Sequence, residues 1–458
     1  MTKSFLALSL GLLLAGCSMA PDYQRPEMPA GASWQTAETS ATLSGWQQQF
    51  LDPQLQRLIA LGLENNRDLR LAALNVQSYE AQYRIQRAAQ LPTVAAGASS
   101  TRQQTSGDTN GTGQEQIGSQ YNAQVGITAY ELDLFGRIQS LKDQALETYL
   151  AQVETQRSTQ IALVASLANA YLTLIADQEL LTLSQSTLQT EQETYALTQK
   201  KYELGSASDM ELAQSRTSLE SARVSVAQYQ RLVLQDRNAL TLLLGTPLPA
   251  DVSLPASLNE VKLASIPVGA PSSLLQQRPD ILAAEHSLKA ANANIGAARA
   301  AFFPTITLTA TAGTASTELG HLFDGGTGTW SFIPQLNLPL FDGGKRVADL
   351  DVAEIAAKQA VATYEKTIQT AFQEVANGLG SETYFQQQAD AQQALVAANE
   401  RYFQLADYRY NEGVDSYLTR LDAQRSLFSA RQTMVSTRLA QLSNQIALFK
   451  AIGGGWQK

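Results

Sequence analysis

Between Gly136 and Lys201 the chain has no proline and no further glycine, and apolar or small side chains return every three or four positions: Leu141, Ala145, Tyr149, Val153, Ile161, Ala165, Ala168, Leu172, Ile175 and Leu183. That period predicts one helix, about 100 Å long at 1.5 Å per residue. Such length without internal caps points to coiled coil. A second run of the same kind spans Val347 to Glu412, interrupted only by NGLG at 377–380, where a local kink is expected. Shorter helical patterns at Ser208–Leu244 and Asp415–Ala451 each follow a glycine, Gly205 or Gly413, marking a turn between antiparallel helices. Flanking helices are predicted at 52–90 and 272–302.

Other stretches alternate with period two and carry almost no charge. In YNAQVGITAYE, Tyr121, Ala123, Val125, Ile127 and Ala129 fall to one side, and Asn122, Gln124, Gly126 and Thr128 to the other. In WSFIPQLNLPL, Trp330, Phe332, Leu336, Leu338 and Leu340 oppose Ser331, Gln335 and Asn337. TITLTATA at 305–312 alternates as well, and TVAAGASSTRQ at 93–103 does so weakly. A half-buried soluble sheet would give the same pattern. With no run of 18 or more apolar residues after Cys17, strands with one lipid face and one water face are the membrane-crossing elements the chain offers.

The chain also repeats itself. YRIQRAAQLPTV (83–94) is echoed by IGAARAAFFPTI (295–306), LDLFGR (132–137) by LPLFDGGKR (338–346), YELGSASDMELAQSRTSL (202–219) by YNEGVDSYLTRLDAQRSLF (410–428), and LTLLLG (240–245) by FKAIGG (449–454). Matches in the same order at a near-constant separation signify an internal duplication. Two hairpins give four strands, which cannot close a barrel, and an open edge in hydrocarbon would leave backbone groups unpaired. Closure therefore requires several copies of the chain. GDTNGTGQEQIGS (107–119) and STELGHLFDGGTGT (316–329) are then the loops at the far end, with His321 an ordinary loop polar group.

Composition narrows the function. A net charge of −9 without a basic cluster gives no footing for nucleic acid. The two histidines, His286 and His321, have no neighbours at metal-ligand spacing, the glycine-rich intervals lack the GK[ST] of a phosphate loop, and no catalytic centre is legible; the chain does not read as an enzyme. His286 is expected to be a structural helix residue. A lone cysteine is usually a small buried hydrophobe, but Cys17 ends a leader of Lys3, the apolar run FLALSLGLLL and then LAGC. LAGC resembles the lipobox of bacterial lipoproteins. That implies removal of residues 1–16, N-acyl and diacylglycerol lipid on Cys17 with no other cofactor, and, from Ser18, sorting to the outer membrane.

The phrases LAGCS, PDYQRP (21–26), DPQLQ (52–56), NNRDLR (65–70), YRIQRA (83–88), YELDLFGR (130–137), QRPDI (277–281), AARAAFFP (297–304), AFQEV (371–375) and LDAQRSLF (421–428) together resemble the outer-membrane channel proteins of tripartite multidrug efflux systems, over essentially the whole chain. The resemblance implies a mixed α/β membrane protein: a homotrimer whose protomers give four strands each to a 12-strand β-barrel, continuous with a long α-helical periplasmic barrel and a mixed equatorial region. On that plan residues 17–50 are the lipidated N-terminus and an extended arm, against a flexible tether as the alternative. Residues 51–245 form the first repeat with its β-hairpin at about 93–131, and 246–270 an equatorial linker. Residues 271–453 form the second repeat with its hairpin at about 305–340, and 454–458 a tail. It further implies passive export of small-molecule drugs, a periplasmic adaptor (membrane fusion protein) and an inner-membrane, proton-driven resistance-nodulation-division pump as partners, and lipid anchoring in the outer membrane with a periplasmic helical extension.

Asp422 stands out in its helical pattern. It lies four residues after Leu418, so both occupy one helix face, and the family's aperture residues carry over to these two positions. Three copies of each would ring the periplasmic opening as a carboxylate filter and an apolar barrier; a solvated or capping carboxylate is the alternative. Asp209, Glu211, Arg216, Arg420 and Arg425 are candidates for a latch of ion pairs, each contributing only about 0–1 kcal/mol at a wet tip. A close family member has a basic residue where this chain has Asn411, which implies a latch rewired through Arg420. Gly205 and Gly413 would present the tip turns to the adaptor. Two other functions fit the same architecture: a channel for type I protein secretion and a trimeric structural anchor with no open lumen. The polar strand faces and the repeated helical hairpin favour a conduit over an anchor.

Overall fold

A computed structural model describes residues 19–27, 45–111, 113–264 and 277–454. Cys17, the leader, most of the expected arm, residues 265–270 of the linker and residues 455–458 of the tail lie outside the described residues. The elements are α1 (Trp46–Gln49), α2 (Pro53–Asn65), α3 (Arg67–Ala88), β1 (Val94–Thr105), α4 (Gly107–Asn110), β2 (Gln116–Leu132), α5 (Arg137–Glu203), α6 (Asp209–Leu244), α7 (Pro279–Ala300), β3 (Thr305–Ser316), β4 (Gly328–Asn337), α8 (Lys345–Asn411) and α9 (Tyr417–Ala451). The duplication is now visible in element lengths: α5 and α8 each have 67 residues, α3 and α7 each 22, and β1 and β3 each 12. The chain divides into two compact units.

One unit comprises Met1–Glu27, Val76–Gln152 and Ala283–Tyr364. Its sheet is a four-stranded antiparallel meander, β1-β2-β3-β4. The register sorts the strands into two faces. Val94, Ile117, Val125, Ile306, Leu308, Trp330 and Leu336 share one face, and Gln103, Gln120, Asn122, Gln124, Thr311, Ser331 and Gln335 the other. The Thr311 and Ser331 hydroxyls hydrogen-bond across the polar face at 2.7 Å. The alternation predicted through Ala129 fails at its end: a register shift falls between Ile127 and Tyr130, and Ala129 takes φ 52°, as a bulged residue does. The strand β4 stops at Asn337, so Leu338 and Leu340 lie beyond it.

The arm of this unit lies extended along α7 over residues 19–27. Asn292 Nδ2 donates to the Pro21 carbonyl at 2.7 Å. The buried Glu285 carboxylate accepts from Tyr23 Oη at 3.3 Å and from the Arg25 guanidinium at 2.7–3.2 Å, with Lys289 Nζ 3.2 Å away. A Cβ on Gly296 would sit 2.7 Å from the Ala20 nitrogen. Ala20 beside Gly296, Pro21 beside Asn292 and Arg25 beside Glu285 set the arm antiparallel to α7, so its N-terminal end points toward the end of α7 that feeds β3. His286 has the structural role expected of it, its Nδ1 lying 2.6 Å from Glu147 Oε2.

The second unit comprises Met28–Asn75, Val153–Leu282 and Glu365–Lys458. Its core is built on the apolar middle of α5, where Leu167, Tyr171, Leu172, Leu174 and Ile175 are fully buried against Leu55, Leu58, Ile59, Leu240 and Leu244. The helix predicted over 52–90 is two helices. Asn66 breaks it with an extended backbone, its side chain accepting from Leu69 N at 2.9 Å and donating to the Leu243 carbonyl at 2.8 Å. NGLG, where a kink was expected, lies inside an unbroken α8. Gly378 packs against Leu448, and its carbonyl accepts from Asn444 Nδ2 at 3.0 Å, so the glycine serves close helix packing. Buried Arg278 ties three segments together, reaching Asp280 at 2.7 Å, Glu374 at 2.9 Å and the Ala451 carbonyl at 2.5 Å.

The β2–β3 pairing depends on two glycines of the polar face, Gly126 and Gly313. A Cβ on Gly313 would strike the Ala123 carbonyl oxygen and approach Gln124 Cα to 2.6 Å, whereas nothing lies within 4 Å of a Cβ at Gly118. Backbone atoms of a ladder cannot step aside without losing its hydrogen bonds. Gly313→Val is therefore expected to lower the yield of folded, membrane-inserted protein several-fold while Gly118→Val leaves it unchanged, as read from heat-modifiable migration on denaturing gels.

Candidate functional site at the hairpin turns

Two helical hairpins of the second unit end in turns of one design and different fastening. After α5, Gly205 adopts φ +73° with its N–H on the Tyr202 carbonyl, and Ser206 N reaches back to Lys201 O at 2.8 Å, the left-handed closure that glycine permits. Ser208 then caps α6 in a reciprocal pair, its Oγ accepting from Glu211 N and the Glu211 carboxylate accepting from Ser208 N at 2.9 Å. After α8, Gly413 takes φ +72° and Val414 N bonds the Arg409 carbonyl at 2.9 Å. Here the residue at the third helical position is Thr419, so Ser416 caps α9 without a reciprocal partner. The fastening comes instead from Arg409, whose guanidinium grips Asp415 at 2.7 and 3.0 Å.

The turn leads directly into the predicted gate. On α9, Leu418 and Asp422 lie on an exposed face, with Leu418 58% exposed, while Tyr417, Arg420, Leu421 and Gln424 are buried on the opposite one. Tyr402 of α8 donates from its hydroxyl to Asp422 Oδ2 at 3.4 Å. On the buried side, Arg420 Nε donates to Asp407 Oδ1 at 2.6 Å and its guanidinium lies 5.9 Å from both the Phe403 and Tyr410 ring centroids. Lys201 of α5 stands 5.0 Å over the Tyr410 ring.

The proposed latch residues separate. Arg420 is paired, but with Asp407 of its own hairpin, and Asn411 Nδ2 supports Asp407 Oδ2 at 3.3 Å. Glu211 serves as a helix cap. Among the described residues, Asp209, Glu211, Arg216 and Arg425 form no ion pair within 4 Å inside the chain. Asp407, Tyr402 and Arg409 escaped the sequence reading; the signal available was their clustering in YFQLADYRYNEG at the end of α8. Among the described residues no group of three His, Cys, Asp or Glu could hold a metal.

Known proteins explain the double architecture. A family model described as outer membrane efflux protein matches residues 58–246 and matches again at 270–454, once for each repeat. The chain belongs to the outer membrane efflux protein family. It is 55% identical over 466 residues to the antibiotic efflux pump outer membrane protein ArpC of Pseudomonas putida, and to the toluene efflux pump outer membrane protein TtgC of the same species, in both cases over 100% of this chain and 96% of the relative. Among solved structures, the open state of the Neisseria gonorrhoeae MtrE outer membrane channel superposes with a TM-score of 0.86 at 38% identity, covering 96% of this chain and 99% of the other. The efflux family member described here is thus an outer-membrane protein with the mixed α/β channel fold, and its activity is that of an exit duct.

The Arg409 pair makes the second turn acid-sensitive. The hydrogen bond from Arg409 holds the Asp415 carboxyl below its ordinary value. A carboxylate depressed in the fold contributes stability that is fully present above its unfolded value, about 3.9, and lost as pH falls through the lower folded one. The protection of residues 409–416 from hydrogen exchange, taken relative to the intrinsic rate at each pH, is therefore expected to fall below about pH 4, and Asp415→Ala to show the lower protection already at neutral pH.

Proposed function

We propose that three copies of this chain form a passive outer-membrane exit duct for drugs, solvents and other small toxic compounds, closed at its periplasmic end by rings of Leu418 and Asp422. The observation that carries the reading is the exposure of Leu418 and Asp422 together on α9, directly beside the Gly413 turn. Around a three-fold axis such a face gives three leucines that narrow and dewet the opening and three carboxylates that favour cations. Three protomers also bring twelve strands, a number sufficient for a closed barrel with a polar interior. The relatives whose names print an antibiotic or toluene as cargo support small molecules over secreted proteins.

The remaining parts of the machine follow from the same reading. The energy source is a proton-driven resistance-nodulation-division pump in the inner membrane, reached through a periplasmic adaptor. The hairpin turns suit that docking: Leu204, Met210 and Val414, beside Gly205 and Gly413, are 83%, 68% and 62% exposed. Diacylglycerol and an N-acyl chain on Cys17 anchor the N-terminus, and an arm lying antiparallel to α7 delivers that end toward the strands. The latch is a set of weak contacts between protomers, for which Asp209, Arg216 and Arg425 are available.

Purified trimers in planar bilayers test the gate. The double substitution Leu418→Ala and Asp422→Ala should raise single-channel conductance several-fold and admit large antibiotics into cells, with the alanine at 422 also reducing cation preference. Unchanged conductance and unchanged antibiotic entry would remove both residues from the gate.

A further inference from the structure

The apolar face of the sheet carries one charge. On β1 and β2 the register sets Ser100 opposite Tyr121, Arg102 opposite Ser119 and Gln104 opposite Ile117, all on the face shared by Val94 and Val125. Among the described residues of the four strands, Arg102 is the only charged side chain on that face, since Glu131 pairs with Thr307 on the polar one. Arg102 is exposed, and among the described residues no carboxylate lies within 4 Å of it. Glu115, just before β2, accepts from Gln104 Nε2 at 2.5 Å instead. The contrast lies at the other end of the sheet, where Arg137 is answered inside the chain by Glu131 at 2.6 Å.

Depth decides what such a charge can meet. A cation on the lipid face of a barrel is costly at the midplane and nearly free at the interfaces. Arg102 stands eight residues beyond Val94 on β1, about 26 Å along the strand at 3.3 Å per residue. At a tilt of about 40° that is roughly 20 Å of height, against an apolar band of about 25 Å. The helices of this fold extend into the periplasm, so the strand end that bears Arg102 is the outer one, and its methylenes can lie along the apolar face while the guanidinium reaches headgroup level. The outer leaflet there is built on glycolipid whose sugars carry phosphates. A guanidinium binds phosphate with two parallel hydrogen bonds, and the hydroxyls of Ser100, Ser119 and Tyr121 stand beside it on the same face as further donors. We propose that Arg102, with these hydroxyls, is a binding site for a phosphate of the outer-leaflet glycolipid, one site on each protomer. It would bind a lipid to the outer wall of the barrel and fix the height of the barrel in the membrane, and it is independent of the gate and of the cargo.

Delipidated full-length trimers in detergent are titrated with lipid A carrying two phosphates and, in parallel, with the same lipid after enzymatic dephosphorylation, and bound lipids are counted by native mass spectrometry. The wild type should bind up to three diphosphorylated lipids per trimer and the dephosphorylated form about ten-fold more weakly. Arg102→Gln should bind both forms equally weakly, Arg102→Lys should recover most of the preference for phosphate, and Arg84→Gln on α3, outside the strands, should leave binding as in the wild type. Equal binding of diphosphorylated lipid A by the wild type and Arg102→Gln would overturn the site. So would a loss of trimer stability in lipid-free detergent on Arg102→Gln with lipid binding unchanged, the result expected if a carboxylate of a neighbouring copy occupies the guanidinium. Should Arg102→Gln fail to assemble, the wild type decides alone: equal affinity for the two forms of the lipid overturns the proposal.

Discussion

Backbone amides and carbonyls at the edge of a sheet have no substitute for a neighbouring strand once water is excluded, and this chain ends its sheet with two such edges, on β1 and on β4. Every larger feature answers to that constraint. One face of the sheet is apolar and the other rich in Gln, Asn, Thr and Ser, so the strands are suited to separate lipid from water, but only in a ring that the single chain cannot complete. Association is therefore part of the fold, which places identical surfaces around an axis. A helix face exposed in one protomer is repeated around that axis. Pro334, which can give no ladder N–H, fits an edge strand such as β4.

Duplication supplies the second level of organisation, and its inexactness carries the function. The two repeats share element lengths and turn glycines, yet they fasten their turns differently. The first uses a reciprocal cap between Ser208 and Glu211 that is local to one helix start and indifferent to its surroundings. The second replaces the glutamate with Thr419 and ties the turn with Arg409 and Asp415, leaving Arg420 to bind Asp407 within a cluster of Phe403, Tyr410 and Tyr417. One turn is thus fastened locally, and the other hairpin is braced internally by cations and rings.

Much of this was legible in the chain itself. The periodicities of three to four and of two located the long helices and all four strands, because extended patterns average over local accidents. The departures were all single-residue events. Asn66 ends one helix and starts another by satisfying a backbone N–H and a distant carbonyl at once, a role visible only when Leu243 is known to be near. The bulge at Ala129 costs the alternation one residue without any glycine to announce it. The packing of Gly378 against Leu448 is invisible in the sequence because it depends on which helix lies beside α8. Several phrases that carried the family resemblance are joints: Asp52 of DPQLQ caps α2 and accepts from Tyr171 at 2.8 Å, and Arg278 of QRPDI gathers α7, α8 and α9. At the candidate site, the shared face of Leu418 and Asp422 was readable from their spacing, whereas the pairing of Asp407 with Arg420 was not, since it depends on which helix faces it.

The placement of polarity in the second unit suits the gate proposed for it. Around Leu167, Tyr171 and Leu240 the packing is dry and fully buried, and dry interiors resist displacement because every shift opens a void. Toward the turns, serines, threonines and glutamines replace the leucines, and buried oxygens are left for water to satisfy. Water-bridged contacts are close in strength to direct ones but tolerate re-registration. Packing is therefore tightest around Leu167, Tyr171 and Leu240 and most polar near the turns, which is the distribution that the proposed gate requires.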